Sequence, residues 1–77
     1  MNNTRNQDYL KAFGQNLRRI RNSKKLSMEK LALEAGIEYS QVFDIEHGKI
    51  NTTISTIHLI AKALNVPEKD LFDFTLF

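Results

Sequence analysis

The sequence predicts an all-α fold of five helices in a single domain, and three observations support this prediction. The chain has 77 residues, which is the size of one small domain. It contains one proline and three glycines, so few positions interrupt a helix. Its apolar residues recur every three or four positions, a spacing that places them on one face of a helix.

Helix 1 is predicted from an apolar face near the start of the chain. It runs from Asp8, the expected N-cap, to Lys24, and residues 1–7 are expected to form a flexible tail. The spacing of three, four and three residues puts four side chains on its inward face: Leu10, Phe13, Leu17 and Ile20. Helix 1 is therefore expected to pack on the rest of the domain along its whole length.

Helices 2 and 3 are short and are joined by a tight turn. Ser27 is the expected N-cap of helix 2, Met28–Ala35. Gly36 ends that helix because glycine adopts the positive φ that such a turn needs. Helix 3 covers Tyr39–His47 and ends at Gly48. Three residues are expected to fill the core beneath the turn: Ile37, Val42 and Ile45.

Two further helices close the domain. Thr53 caps helix 4, Ile54–Leu64, and Pro67 lies in the first turn of helix 5. Leu71 and Phe72 of helix 5 are expected to close the core. The apolar stripe of helix 4 contains five residues: Ile54, Ile57, Ile60, Ala61 and Leu64.

Composition restricts the class of protein. The chain has no cysteine, which excludes disulfides and thiolate metal sites. Its polar beginning is not a secretory signal, and no run approaches the roughly 20 apolar residues of a membrane span. We therefore expect a cytoplasmic protein that does not enter a membrane.

Charge is distributed unevenly along the chain. Residues 1–25 contain seven of the eleven Lys and Arg residues and a single acid, whereas residues 26–77 contain four lysines and eight acids. This asymmetry favours a basic face for an anionic partner. The alternative is that the basic residues 18–25 form only the solvated side of a helix.

Helices 2 and 3 together indicate a DNA-binding motif. Ala32 has to be small because helix 3 crosses close to it, and Gly36 makes the turn between them. One face of helix 3 then remains exposed: Tyr39, Ser40, Phe43, Asp44 and His47. A helix supported from behind by another helix can enter the major groove, which is about 12 Å wide.

Residues 10–73 resemble the Xre/Cro-type helix-turn-helix domain of phage repressors and small bacterial regulators, including the controller proteins of restriction–modification operons. The resemblance is carried by several motifs that occur together. They are "LRRIR", Leu31 with Ala32, Gly36, "DIEHGK", and "ISTIHLIAKALNV" followed by "DLF". Such a combination is far more specific than any one of its members.

This resemblance implies a five-helix, lambda-repressor-like domain that binds double-stranded DNA as a homodimer. The DNA would be a palindromic operator with half-sites about 34 Å apart. Arg21 is implied to pair with Glu46, so that Glu46 holds helix 3 against helix 1 instead of facing DNA. The alternative is a solvated Glu46.

The resemblance also implies base contacts from the exposed face of helix 3. Tyr39 and Ser40 lie nearest the base edges, and Phe43 is placed to touch a thymine methyl group unless it is buried against helix 4 or a partner. Asp44 either accepts a hydrogen bond from cytosine N4 or only repels most sequences. Glu38 has the same cytosine alternative, but capping of helix 3 is the preferred interpretation.

Contacts to the DNA backbone are implied for the residues around helices 2 and 3. The start of helix 2 offers backbone N–H groups to a phosphate. Met28 stands where the family often has a phosphate-binding glutamine, and Thr52 where it often has proline. The full set of expected backbone contacts is Ser27, Met28, Gln41, His47, Lys49, Asn51 and Thr52.

The C-terminal segment "LFDFTLF" is unusually apolar for the end of a chain. Phe74, Leu76 and Phe77 are expected to form a dimer surface with helices 4 and 5, because exposed apolar patches mark partners. The alternative is that these residues fold back onto the core of their own chain.

Enzymatic and metal-dependent functions are not supported by the sequence. His47 and His58 lie on different helices with no further ligand at metal-binding spacing, and no nucleophile motif or phosphate-binding loop is present. We expect no cofactor, no metal and no catalysis. The second functional interpretation is an antitoxin or another protein-binding module for which DNA binding is secondary.

Overall fold

A computed structural model describes residues 6–76, and these residues form five α-helices without any strand. The all-α prediction with five helices is therefore confirmed. In chain order the helices are α1 Gln7–Ser23, α2 Met28–Ala35, α3 Tyr39–Glu46, α4 Ile54–Leu64 and α5 Glu68–Leu71. Helix α1 packs against α3 and α5, α2 packs against α3 and α4, and α4 also contacts α5.

The start of α1 differs from the prediction. Asn6 is the N-cap, because its side-chain oxygen accepts a hydrogen bond from the backbone N–H of Tyr9 at 3.0 Å. Asp8 lies in the first turn, where its charge still complements the helix dipole. Gln7 thus belongs to the helix and Asn6 caps it, so neither is part of a tail, while residues 1–5 lie outside the described part of the chain.

The N-caps of α2 and α4 are as predicted from the sequence, but Pro67 is the N-cap of α5 and does not lie in its first turn, and α1 and α3 end one residue before the predicted Lys24 and His47. The Ser27 hydroxyl accepts from the N–H of Lys30 at 3.0 Å and the Thr53 hydroxyl accepts from the N–H of Thr56 at 3.2 Å. Gly36 adopts a positive φ of 73°. These boundaries were predictable because each depends on one residue type at one position.

The core fills the space between the helices, with two corrections to the prediction. Ile54 is 89% exposed, because it is the first residue of α4 and lies beyond the buried stripe. Leu71 is fully buried, but Phe72 lies after the end of α5 and stays 45% exposed, with its ring centroid 5.0 Å from that of Phe13. The largest fully buried side chains are Leu17, Leu31, Val42, Ile60, Leu64 and Leu71.

Helix α1 makes two close contacts that fix its neighbours. A Cβ atom added at Gly14 would lie 2.3 Å from the carbonyl oxygen of Ile45 and 2.5 Å from that of Glu46. The buried Asn16 donates through Nδ2 to the carbonyl oxygens of Asp70 and Leu71, each at 2.9 Å. Thus α1 holds the C-terminal end of α3 and the C-terminal end of α5.

Candidate nucleic-acid interface

The turn between α2 and α3 sets the direction of α3. The N–H groups of Gly36 and Ile37 donate to the carbonyl oxygen of Ala32 at 2.9 and 3.0 Å, which satisfies the end of α2. Val42 and Ile45 of α3 are buried beneath this turn. The opposite side of α3 therefore faces outward.

A buried ion pair holds α3 against α1. Arg21 donates through Nε to Glu46 Oε2 at 2.6 Å and through Nη2 to Glu46 Oε1 at 3.0 Å, while its Nη1 donates to the carbonyl oxygen of Leu26 at 2.7 Å. The two residues are only 7% and 5% exposed. The hydrogen bond to Glu46 raises the pKa of the Arg21 guanidinium against the opposing effect of burial. The pair implied by the resemblance is present, so Glu46 is not solvated and does not face the outside.

The outward face of α3 contains the five residues proposed for base contacts. Glu38, Tyr39 and Ser40 are exposed, whereas Phe43 and Asp44 are half-buried. Among residues 6–76, neither Glu38 nor Asp44 has a cation within ion-pair distance. Both carboxylates therefore carry charge that the described part of the protein does not neutralise.

Glu38 occupies the N-cap position of α3, as the preferred interpretation requires. Its backbone N–H donates to the side-chain oxygen of Gln41 at 3.2 Å. Gln41 is half-buried and takes part in this cap. A DNA backbone contact from Gln41 would therefore have to compete with the cap that it already forms.

The end of α3 carries a group of stacked side chains, Phe43, His47 and Lys49, which we call the Phe43 stack. The His47 ring lies nearly parallel to the Phe43 ring, with a centroid distance of 4.0 Å and an angle of 21°. Lys49 Nζ lies over the Phe43 ring, 5.4 Å from its centroid. The Tyr39 ring is 6.4 Å from that of Phe43, so aromatic rings follow one side of α3.

The remaining residues proposed for phosphate contacts lie in two segments. Ser27 caps α2 and is exposed, but the Met28 side chain packs against the core, so that only its backbone faces the start of the helix. In the segment after α3, Asn51 is exposed and Thr52 is half-buried. This segment also borders an apolar groove.

That apolar groove has a volume of about 210 Å³ and lies between α1, the segment after α3 and the start of α4. Three of its large apolar lining side chains are exposed, Ile54 almost fully and Tyr9 and Phe72 to less than half of their surface. The other lining residues are Asn6, Leu10, Phe13, Ile45, Ile50, Asn51, Thr52 and Ile57. A surface of this composition is suited to contact with an apolar partner.

The C-terminal segment was interpreted either as a dimer surface or as folding back onto its own core, and its residues divide between these two interpretations. Phe74 is half-buried and its ring lies 5.2 Å from that of Tyr9 and 6.3 Å from that of Phe13, so it folds back onto its own chain. Leu76 is 46% exposed and borders a second groove beside α1. Phe77 lies outside the described residues. Most of the Phe74 side chain is therefore not accessible to a second copy of the chain, whereas Leu76 is accessible.

Two negative findings apply to residues 6–76. No cluster of three or more His, Asp or Glu side chains is arranged to hold a metal ion in this part of the chain. None of its helices is long and apolar enough to cross a membrane.

Comparison with known proteins identifies the class of this fold. A family model described as helix-turn-helix matches residues 17–71. The chain therefore belongs to the helix-turn-helix family, and the resemblance found in its sequence is confirmed.

Several relatives are controller proteins. The chain is 48% identical over 64 residues to the control protein C.BamHI of Bacillus amyloliquefaciens, a match that covers 82% of this chain and 79% of that protein. It is 36% identical over 58 residues to the control protein C.SmaI of Serratia marcescens, with 75% and 69% covered. The crystal structure of the restriction-modification controller protein C.AhdI of Aeromonas hydrophila superposes with a TM-score of 0.80 at 40% identity, covering 84% of this chain and 97% of that one.

Three features were not predicted from the sequence. The first is the close approach of Gly14 to the backbone of Ile45 and Glu46, although a glycine inside a helix often marks a close contact. The second is the contact of Phe43 with His47, although residues four apart on a helix are neighbours. The third is the exposure of Ile54, and no signal in the sequence separates it from the other apolar residues of α4.

Proposed function

We propose that this DNA-binding regulator recognises a palindromic operator as a homodimer, with α3 in the major groove. One observation supports the proposal above all others. Helix α3 packs on α2, and the buried pair of Arg21 and Glu46 attaches it to α1, so that contacts within the protein set the direction of its outward face. Outward presentation of a supported short helix is what major-groove recognition requires.

The proposed contacts divide by type. Tyr39, Ser40, Asp44 and Glu38 lie at or near the start of α3 or on its outward face and would contact base edges, which carry the sequence information. Contacts to phosphates would set the register of the protein on DNA. They would come from seven residues: Ser27, Met28 through its backbone, Gln41, His47, Lys49, Asn51 and Thr52. The carboxylates of Glu38 and Asp44, which no cation of residues 6–76 neutralises, would favour cytosine N4 and penalise base edges that only accept hydrogen bonds.

The named relatives suggest the regulated genes. Because C.BamHI, C.SmaI and C.AhdI are controller proteins, we infer that this protein controls a restriction–modification operon from a site upstream of its own gene. It would act in the cytoplasm. Occupancy of the operator would then depend on the concentration of the dimer.

The test is a fluorescence anisotropy titration with the duplex upstream of the protein's own gene. A random duplex of equal length serves as competitor, and the titration is repeated at two salt concentrations. We expect binding that survives the competitor and weakens as salt rises, because each neutralised phosphate releases counterions. Binding that the competitor removes completely would contradict sequence-specific regulation.

A second function, binding of a protein partner such as a toxin, is favoured by two observations. The carboxylates of Glu38 and Asp44, which have no ion-pair partner among residues 6–76, oppose a polyanion, and the apolar groove at Ile54 offers another surface. This function predicts weak DNA binding that disappears at moderate salt, together with a stable complex between the protein and the product of an adjacent gene.

A further inference from the structure

We infer that Phe43 is a positioning residue for phosphate contacts: its ring holds the His47 imidazole and the Lys49 ammonium group where the DNA backbone passes. The inference rests on the proposed function, since it assumes that α3 faces DNA. It assigns Phe43 a role that differs from contact with a thymine methyl group.

Phe43 holds His47 by two independent contacts. The His47 ring stacks on the Phe43 ring at 4.0 Å, and His47 Nδ1 lies 2.8 Å from the backbone carbonyl oxygen of Phe43. Because a carbonyl oxygen only accepts, Nδ1 carries the hydrogen of this bond. The other ring nitrogen, Nε2, faces a partner, and it can donate to a phosphate oxygen only when it also carries a hydrogen, so the proposed contact uses the imidazolium form of His47.

The Lys49 side chain also lies against the Phe43 ring. Its ammonium nitrogen lies 5.4 Å from the Phe43 centroid, within the range at which the negative face of an aromatic ring attracts a cation. Its backbone N–H donates to the carbonyl oxygen of Asp44 at 2.8 Å, which fixes the start of the segment after α3. The side chains of His47 and Lys49 therefore both lie against the half-buried ring of Phe43.

This arrangement suits a phosphate better than a base. Lysine is a long, flexible side chain that loses conformational entropy when it binds, and a ring that restrains it beforehand lowers this cost. The imidazole already covers one face of the Phe43 ring, so that face is not available to a thymine methyl group. What the stack offers to DNA is an ammonium group and an imidazole nitrogen.

The main test replaces the ring and keeps the apolar bulk. Phe43→Leu is expected to weaken binding to the upstream duplex and to a random duplex by the same factor, about fivefold, estimated from the strength of exposed cation–π contacts. The slope of log affinity against log salt is expected to fall by up to about one unit. Phe43→Tyr keeps both ring faces and is expected to behave as the wild type.

A double-mutant cycle tests whether Phe43 acts through His47. The effect of Phe43→Leu is expected to shrink when His47→Ala is already present, because the stack is then broken in both proteins. Tyr39→Leu is the matched control on the same side of α3. It is expected to change the preference for the upstream duplex and to leave the salt slope unchanged.

Several results would overturn the inference. They are a loss confined to the upstream duplex with an unchanged salt slope, an additive cycle, or no effect of Phe43→Leu on binding. Failure of the wild type to bind either duplex would instead refute the proposed function. If Phe43→Leu does not fold, the NMR resonances of the His47 ring protons are measured in the wild type. Stacking on the Phe43 ring shifts these resonances upfield. Resonances without this shift would overturn the inference.

Discussion

Glu46, the last residue of α3, stabilises the folded protein through its buried ion pair with Arg21. We expect Glu46→Ala to lower the free energy of unfolding by about 3–5 kcal/mol, because it leaves the buried Arg21 charge without its partner. Urea denaturation followed by circular dichroism measures this loss.

The exposed pair of Lys30 and Glu34, 3.8 Å apart, provides the control. Glu34→Ala should lower the free energy of unfolding by less than about 0.5 kcal/mol. Equal losses in the two variants would contradict the role of burial.

Asp44 is the acid whose two interpretations give opposite results. If Asp44 accepts from cytosine N4, Asp44→Ala is expected to reduce the ratio of specific to random binding, by the equivalent of about 1–3 kcal/mol for one base contact. If it only repels, the same variant tightens binding to both duplexes. Anisotropy titrations with the upstream and the random duplex separate these results, with Asp44→Asn as a control that keeps the shape. We expect the first result, because the Asp44 side chain is half-buried and a partly restricted acceptor loses less conformational entropy when it binds a base.

The residues show where the sequence was sufficient and where it was not. The caps Ser27 and Thr53 were predictable because capping is local. The Arg21 to Glu46 pair required the resemblance, since the two residues are 25 positions apart. The stack of Phe43 and His47 depends on side-chain rotamers, and the exposure of Ile54 depends on where the core ends. Neither follows from the spacing of residue types.

At the scale of elements, the distance between α1 and α3 depends on Gly14. Replacing glycine by alanine inside a helix normally stabilises it by up to about 1 kcal/mol. We expect Gly14→Ala to have the opposite sign, because the new methyl group would meet the backbone of Ile45 and Glu46. Thermal unfolding measures the change, and weaker DNA binding should accompany it as α3 is displaced.

Gly36→Ala is the control for this prediction. Its added methyl group would have open space, but its φ of 73° strains any residue with a Cβ atom, at a cost of about 1–2 kcal/mol. We therefore expect Gly14→Ala to be the more damaging of the two. A stabilised Gly14→Ala protein would show that α1 and α3 are further apart than the structure places them.

The contact between α4 and α5 predicts a dependence on pH. His58 Nδ1 lies 2.6 Å from Glu68 Oε2, and this hydrogen bond, with a smaller contribution from the backbone, lowers the pKa of the Glu68 carboxyl. A lowered pKa in the folded state stabilises the protein above the unfolded glutamate pKa of about 4.3, and this stabilisation is lost as pH falls through the lowered value. His58→Ala should return the pKa of Glu68 part of the way to its ordinary value in an NMR titration. Leu59→Ala should leave it unchanged, and an unaltered Glu68 pKa in His58→Ala would contradict the contact.

At the scale of the whole molecule, the DNA-facing side and the apolar groove share two residues, Asn51 and Thr52, and are otherwise built from different ones. The faces meet in the segment after α3, because Asn51 and Thr52 line the groove and are also proposed to contact phosphates. We propose that a second copy of the chain covers the apolar groove. Such a dimer would place the two α3 helices on one DNA duplex in a fixed relation, which a palindromic operator requires.

Ile54 gives this dimer its sharpest test. Because the side chain is 89% exposed, Ile54→Asp should not destabilise the monomer, and an acid in the first turn of α4 complements the helix dipole. In a two-fold dimer the substitution removes two buried isoleucines, so we expect the dissociation constant to rise about a hundredfold or more, measured by sedimentation equilibrium. Leu33→Asp is the matched control, since Leu33 is 76% exposed on α2 and does not line the groove. A dimer that survives Ile54→Asp and dissociates with Leu33→Asp would place the interface on α2, where it would compete with DNA for the same side of the protein.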